Sequence, residues 1–178
     1  MEKPDPICEP CLAGRQTHAI HTKPATQSDE LLYCVSADLH GPIHTQAVPN
    51  HLKYWMPIED EASGYTHVTL LRTKGQAMEA FTWYKAMVET QTRSKIKHLQ
   101  DDKGREFIST AFDNVCANAG IKREHTIQTT PEQNRTVEQT NRRLSKGATA
   151  LLAEAKLPLS FWGFAVLAFA HVMNRCPS

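Results

Sequence analysis

The sequence lacks a dominant charge: 20 Lys and Arg face 19 Asp and Glu, for a formal charge of +1. No global field announces a nucleic acid, an anionic membrane or an acidic partner, so any such partner has to be argued from local patches. Cysteine is scarce and odd in number. Cys8, Cys11, Cys34, Cys116 and Cys176 are scattered apart from one Cys-x-x-Cys pair, which excludes a disulfide framework and suits a reducing compartment. The opening Met1-Glu-Lys-Pro-Asp-Pro6 has no apolar core, so a secretory leader is not expected. No long unbroken apolar run exists either. The most apolar stretch, Leu157 to Met173, is interrupted by Pro158, Ser160, Gly163 and His171, is short for a membrane span, and reads as a buried helix wanting cover on every side. No internal repeat is visible.

What is present reads as one α/β domain. The 178 residues, 40% hydrophobic and 22% charged, suffice for a single core. Residues 1–30, rich in Pro, Thr, Gln and His, have no period and read as an irregular arm; residues 31–178 read as the core. A buried strand is predicted over 31–39, stopped by Gly41-Pro42, and residues 43–52 form a loop. Lys53 to Asp60 and Thr66 to Thr73 pair as a hairpin across Ser63-Gly64. Gln76 to Thr92 is helical, with Phe81, Tyr84 and Val88 on one face. Lys95 to Gln100 is a strand. Glu106 to Ala119 is a helix with Ile108, Phe112, Val115 and Ala119 in a stripe and Gly120 as its stop. Lys122 to Gln128 is a strand, Thr130-Pro131 opens a long helix, and Pro158 separates it from the last one. The first three strands form an antiparallel meander and the later strands alternate with helices, which gives a mixed five-stranded sheet flanked by helices.

Three acids stand at element ends in this layout. Asp38 closes the first strand-like run, Asp102 ends Leu99-Gln-Asp-Asp102 beside a glycine turn, and Glu138 opens the long helix. Carboxylates carried on separate elements are how a fold assembles a divalent metal site for phosphoryl transfer. Two of them about 4 Å apart repel by roughly 4 kcal/mol at an effective dielectric near 20, so protons or cations must neutralise the cluster.

Blocks along nearly the whole chain then resemble the catalytic core of copia-type retrotransposon integrases, within the retroviral integrase superfamily. Cys8-Glu-Pro-Cys-Leu-Ala-Gly-Arg-Gln16 is similar to the end of that family's zinc-binding N-terminal module, and Ser36-Ala-Asp-Leu-His-Gly-Pro42 to its first-Asp motif. Tyr54 to Asp60 with Tyr65-Thr-His-Val68 resembles its second and third strands. Leu99 to Phe107 resembles the second-Asp motif and Thr130 to Leu144 the Glu motif. Leu157-Pro-Leu-Ser-Phe-Trp162 and Asn174-Arg-Cys-Pro-Ser178 resemble the segment beyond. The resemblance implies a ribonuclease-H-like fold and Asp38, Asp102 and Glu138 as catalytic ligands of two Mg²⁺ or Mn²⁺ ions. It further implies 3′-end processing and strand transfer of element cDNA into host DNA, a homo-oligomer, and a nuclear site of action after a cytoplasmic particle stage. Asp101 is the local rival of Asp102; Asp60 and Glu106 read as fold-supporting. Residues 1–30 would be a remnant of the zinc module, and the core would be truncated at its C-terminal side. Upstream of Cys8 and Cys11 there is no His, so bound zinc is not expected.

The chain departs from the family pattern at Lys103, Arg135 and Gln139, where Asn, Gly and Arg are usual. None of these is a triad position, but they support an alternative: a catalytically inactive DNA-binding remnant. A related metal nuclease that cuts without joining is a third reading. For DNA contact, Val137, Leu144, Ala148, Leu151 and Ala155 line one face of the long helix, while Glu138, Arg142 and Lys146 run along its flank at i, i+4, i+8. Arg142, Arg143 and Lys146 would meet phosphates, and Gln133 and Asn134 would donate to phosphate or bases. Lys95, Lys97, Lys122 and Arg123 are further candidates. His125 reads as structural, and Trp55, Trp83 and Trp162 as core or interface residues.

Overall fold

A computed structural model describes residues 28–101, 110–125 and 135–176. The strands are β1 (Cys34–Ala37), β2 (Tyr54–Asp60), β3 (Thr66–Leu71), β4 (His98–Asp101) and β5 (Lys122–His125), in the sheet order β3-β2-β1-β4-β5. β2 pairs antiparallel with both β1 and β3, while β4 runs parallel to β1 and β5. The helices are α1 (Ala77–Thr92), α2 (Thr110–Asn118), α3 (Arg135–Ala155) and α4 (Trp162–Met173).

Side chains alternate between the two faces of each strand, and both faces are covered. Val35, Ala37, Met56, Ile58 and Leu99 face α1 and α2, where Phe81, Tyr84, Val88, Phe112 and Cys116 complete the core. Burying Phe81 or Val88 is worth about 1.5–3 kcal/mol each. On the opposite face Trp55 and Val68 meet Leu144, Ala148 and Leu152 of α3 and Trp162, Ala165, Val166 and Ala170 of α4. The meander, the parallel pairs, the α1 stripe and the break at Pro158 all stand where the sequence puts them.

The first strand is shorter than predicted. Residues 31–33 turn instead, because the Asp60 carboxylate accepts the Leu32 N–H at 2.9 Å from across the sheet. Its other oxygen accepts the Ser63 N–H and hydroxyl at 3.0 and 2.6 Å. Asp60 is thus the fold-supporting acid expected, fastening the hairpin loop. The α2 stripe is carried by Phe112 and Cys116, with Ala119 exposed. Ile108, at the predicted start of that stripe, and Glu106 lie outside the described residues. Gly120 takes φ +71° after α2, as a helix stop requires.

Two apolar faces differ from expectation. On α3, Leu151 and Ala155 are exposed and Leu152 is buried, because the buried stripe turns toward the seam with α4. At that seam a Cβ on Gly147 would stand 2.3 Å from the Phe169 ring, so only glycine lets the helices approach this closely. On α4, Phe164, Leu167 and Val172 are exposed; the sheet and α3 cover one side of the helix and not all of it. Trp55 and Trp162 are buried, whereas Trp83 is 58% exposed and lies beside His67 on the α1–β3 flank. At the sheet's rim the Asn174 carboxamide accepts the Thr66 N–H at 2.9 Å and donates to its carbonyl at 2.8 Å. Among the described residues, no helix is long and apolar enough to cross a membrane.

Candidate metal and nucleic-acid site

The site forms where β1 ends under α3. Asp38 follows the last β1 residue and is half-buried. Its Oδ1 accepts its neighbour Leu39's N–H at 2.7 Å, and its Oδ2 accepts Asn141 Nδ2 at 2.5 Å. The Asn141 carbonyl oxygen accepts Trp55 Nε1 at 2.8 Å. An indole N–H only donates, so the amide must turn its oxygen to Trp55 and its NH₂ to the carboxylate. Trp55 is held in turn between His40, stacked at 4.1 Å, and Trp162 at 5.5 Å.

Asn141 stands one helical turn beyond Glu138, on the same side of α3. The structure therefore brings Asp38 to the turn of α3 that follows Glu138. Glu138 itself is exposed. Carboxylate oxygens are the donors that a hard cation such as Mg²⁺ takes. Asp102 lies outside the described residues, as do Gln133, Asn134, Lys103, Cys8 and Cys11. Among the described residues, no group of three His, Cys, Asp or Glu side chains is placed to hold a metal.

Asp101, the rival of Asp102, is engaged by Arg123. It is buried in β4, and its Oδ2 accepts Arg123 Nε at 3.0 Å and Nη2 at 2.7 Å. Arg123 also donates to Asp113 at 2.5 Å and lies over the Phe112 ring at 4.6 Å. This network belongs to the α2 side of the sheet. It takes Arg123 away from any phosphate. The other basic candidates off α3 are likewise paired: Lys95 with Glu89, Lys97 with Glu30, and Lys122 with Glu124.

On α3, Arg142 is exposed, and Arg143 and Lys146 are half-buried. Next to Asn141, the Thr140 hydroxyl donates to Glu59 Oε2 on β2. Glu59 is buried, and that burial pushes its acid up to about 7; the Thr140 hydrogen bond and the Arg143 charge pull down, while Glu61 and Asp60 push up. Sequence reading missed Asn141, Thr140 and Glu59. Counting three residues on from Glu138 finds Asn141; nothing in the sequence pairs Thr140 with Glu59.

No family model matches the chain. It is similar to the Retrovirus-related Pol polyprotein from transposon TNT 1-94 of Nicotiana tabacum, 34% identical over 171 residues, covering 96% of this chain and 13% of the relative. It is also similar to the Pol polyproteins from transposons RE1 and RE2 of Arabidopsis thaliana. The first is 24% identical, covering 96% of this chain and 11% of the relative; the second is 28% identical, covering 86% and 10%. The chain thus spans 10 to 13% of the length of these relatives. Among solved structures, it matches the simian T-cell lymphotropic virus intasome in complex with PP2A regulatory subunit B56 gamma. The TM-score is 0.68 at 17% identity, over 96% of this chain and 58% of that one. It matches the HTLV-2 integrase catalytic core domain in complex with magnesium, in trimeric form, with TM-score 0.60 at 17% identity, over 82% of this chain and 86% of that one. At these identities the structural likeness is one of fold.

Proposed function

This chain belongs with the retrotransposon Pol polyproteins and has the ribonuclease-H-like fold of retroviral integrase catalytic cores, and from that premise we propose that it acts in DNA integration as a metal-dependent polynucleotidyl transferase. The observation that carries this reading is the Asn141–Asp38 hydrogen bond, which ties the first carboxylate to the turn after Glu138 within that fold. Asp38 and Glu138 would hold the divalent ions together with Asp102, which follows directly on Asp101; Asp101 pairs in register with Ala37, the residue before Asp38. Bound Mg²⁺ or Mn²⁺ supplies Lewis-acid polarisation of the phosphate and of the attacking oxygen. Asn141 keeps the Asp38 carboxylate oriented, and α3 carries Glu138 one turn before Asn141. The magnesium named with the HTLV-2 core supports a divalent cation in this fold.

The substrates in this reading are element cDNA ends and host target DNA, processed at the 3′ ends and then joined. Two ends require at least two copies of the chain, and the trimeric and intasome forms of the structural relatives support an oligomer. Action in the nucleus, after a cytoplasmic particle stage, follows from the same role. Residues 1–30 would be the remnant of a zinc-binding module and 31–178 the core. Strand transfer and disintegration on labelled oligonucleotides with Mn²⁺ test the reading: joined products support it, and cleavage without joining in both assays overturns it. A second reading, an inactive DNA-binding remnant, is favoured by Lys103, Arg135 and Gln139; DNA binding with no product in either assay would establish it.

The exposed Arg142 and its neighbour Lys146, one turn on, are proposed to meet phosphate. Reversing both, Arg142→Glu with Lys146→Glu, should weaken duplex binding at low salt by about tenfold or more. The slope of log affinity against log salt should become shallower by about two, one for each lost phosphate contact. Fluorescence anisotropy across a salt series reads both; an unchanged slope rejects their role.

A further inference from the structure

Glu59 is a buried acid that the proposed chemistry does not use, yet its hydrogen-bond partner sits on the helix that carries Glu138. Glu59 pairs across the sheet with Ser36, two residues before Asp38. Alternation along the strands therefore puts Glu59, Ser36 and Asp38 on the face covered by α3. Two successive α3 residues grip that face: Thr140 holds Glu59, and Asn141 holds Asp38 and Trp55. All of Glu59, Thr140 and Asn141 are buried. Among the described side chains of this end, Glu138 to Arg143, the contacts with the sheet are polar.

We propose that Glu59 and Thr140 are a positioning pair: the β2 carboxyl, buried under α3, seats the Glu138 end of α3 on the sheet through Thr140, and the cost of holding an ionised carboxylate out of water loosens that seat although the Thr140 bond itself favours the ion. The inference rests on the reading of Glu138 as a catalytic ligand. Charged groups act on Glu59 from two elements. Arg143 approaches from α3 and favours the ionised form, while Asp60 and Glu61 oppose it from β2 and the residue after it. Ser36 on β1 and Thr66 on β3, its cross-strand partners, carry no charge. Burial outweighs Arg143 and leaves the acid near pH 7. A seated state that binds the proton more tightly than the opened state is favoured at low pH and is lost as pH rises. With an ordinary carboxylate of about 4.5 in the opened state, the opening equilibrium grows about tenfold between pH 6 and pH 8.

The test is hydrogen exchange of the full chain between pH 6 and pH 8, corrected for intrinsic exchange, beside disintegration rates over the same range. Protection from Glu138 to Asn141 should fall about tenfold in the wild type. In Glu59→Gln, a neutral isostere that still accepts the Thr140 hydroxyl, it should stay flat. The ratio of the Glu59→Gln rate to the wild-type rate should climb several-fold over that interval. Thr140→Val should lower protection at every pH and slow joining about tenfold, and Thr140→Ser should restore both. Equal protection profiles for wild type and Glu59→Gln overturn the pair, whatever the activity. A pH-dependent loss of protection in wild type alone, in a protein that joins no DNA, upholds the seat and overturns the transferase reading instead.

Discussion

Asp38→Asn should cost DNA joining at least ~100-fold while the protein stays folded. Altering groups that merely support a metal ligand costs about 10–100-fold, and this substitution removes a proposed ligand charge itself. The fold should survive because the exchange preserves shape and gives up one hydrogen bond, that donated by Asn141, a loss of about 1 kcal/mol. Asn141 presents its NH₂ to Oδ2 at 2.5 Å and the Leu39 N–H faces Oδ1 at 2.7 Å. A carboxamide at position 38 keeps one acceptor for Leu39 and leaves Asn141 anchored by the Trp55 indole. Disintegration and strand-transfer rates with Mn²⁺, read beside a thermal melt, check both halves. Glu138→Gln belongs in the same experiment and should lose activity to a similar degree. Its side chain is exposed, so its melting point should hardly move. A rate within a few-fold of wild type for either variant would remove that residue from the site.

The second large effect is on stability, at the seam between α3 and α4. On an open helix surface Gly→Ala gains about 1 kcal/mol. At Gly147 the sign should reverse. The added Cβ would fall 2.3 Å from three atoms of the Phe169 ring, including Cγ near its stem, so rotating the ring alone does not clear it. Overpacking of this kind costs about 1–3 kcal/mol, and a chain of this size loses about 2–4 °C of Tm per kcal/mol. Gly147→Ala should therefore melt about 2–12 °C lower. Phe169→Leu made in the Gly147→Ala background should recover much of that loss, because the two positions are in contact and their effects should not add. A Tm equal to or above wild type would mean the helices separate without strain. Because α3 also carries Glu138, the same variant links the packing of this seam to the geometry of the site.

Local chemistry made much of the architecture legible. Phe81, Tyr84 and Val88 at helical spacing, Ser63-Gly64 between alternating runs, Gly120 and Pro158 each act within a few residues of themselves. The elements they shape stand where the sequence places them. Illegible features come from partners distant in the chain. β1 is cut short because Asp60, 28 residues on, takes the Leu32 N–H. The ion pair that engages Asp101 comes from Arg123, 22 residues beyond it. Asn141 reaches Asp38 across 103 residues, and Thr140 reaches Glu59 across 81. The buried stripe of α3 was misplaced by part of a turn because periodicity gives a helix its apolar side without fixing its rotation. The contact between Gly147 and α4 decides that rotation.

The Asn174 amide on Thr66 has a consequence for solution behaviour. A side-chain amide has the same donor and acceptor as a peptide unit, so at this position the outermost strand meets a counterfeit neighbour supplied by the residue just after α4. An outer strand with open backbone groups invites a foreign strand to add. Here the end of β3 that leads out of the hairpin is already taken, so a foreign strand could pair at Thr66 only by displacing the Asn174 amide.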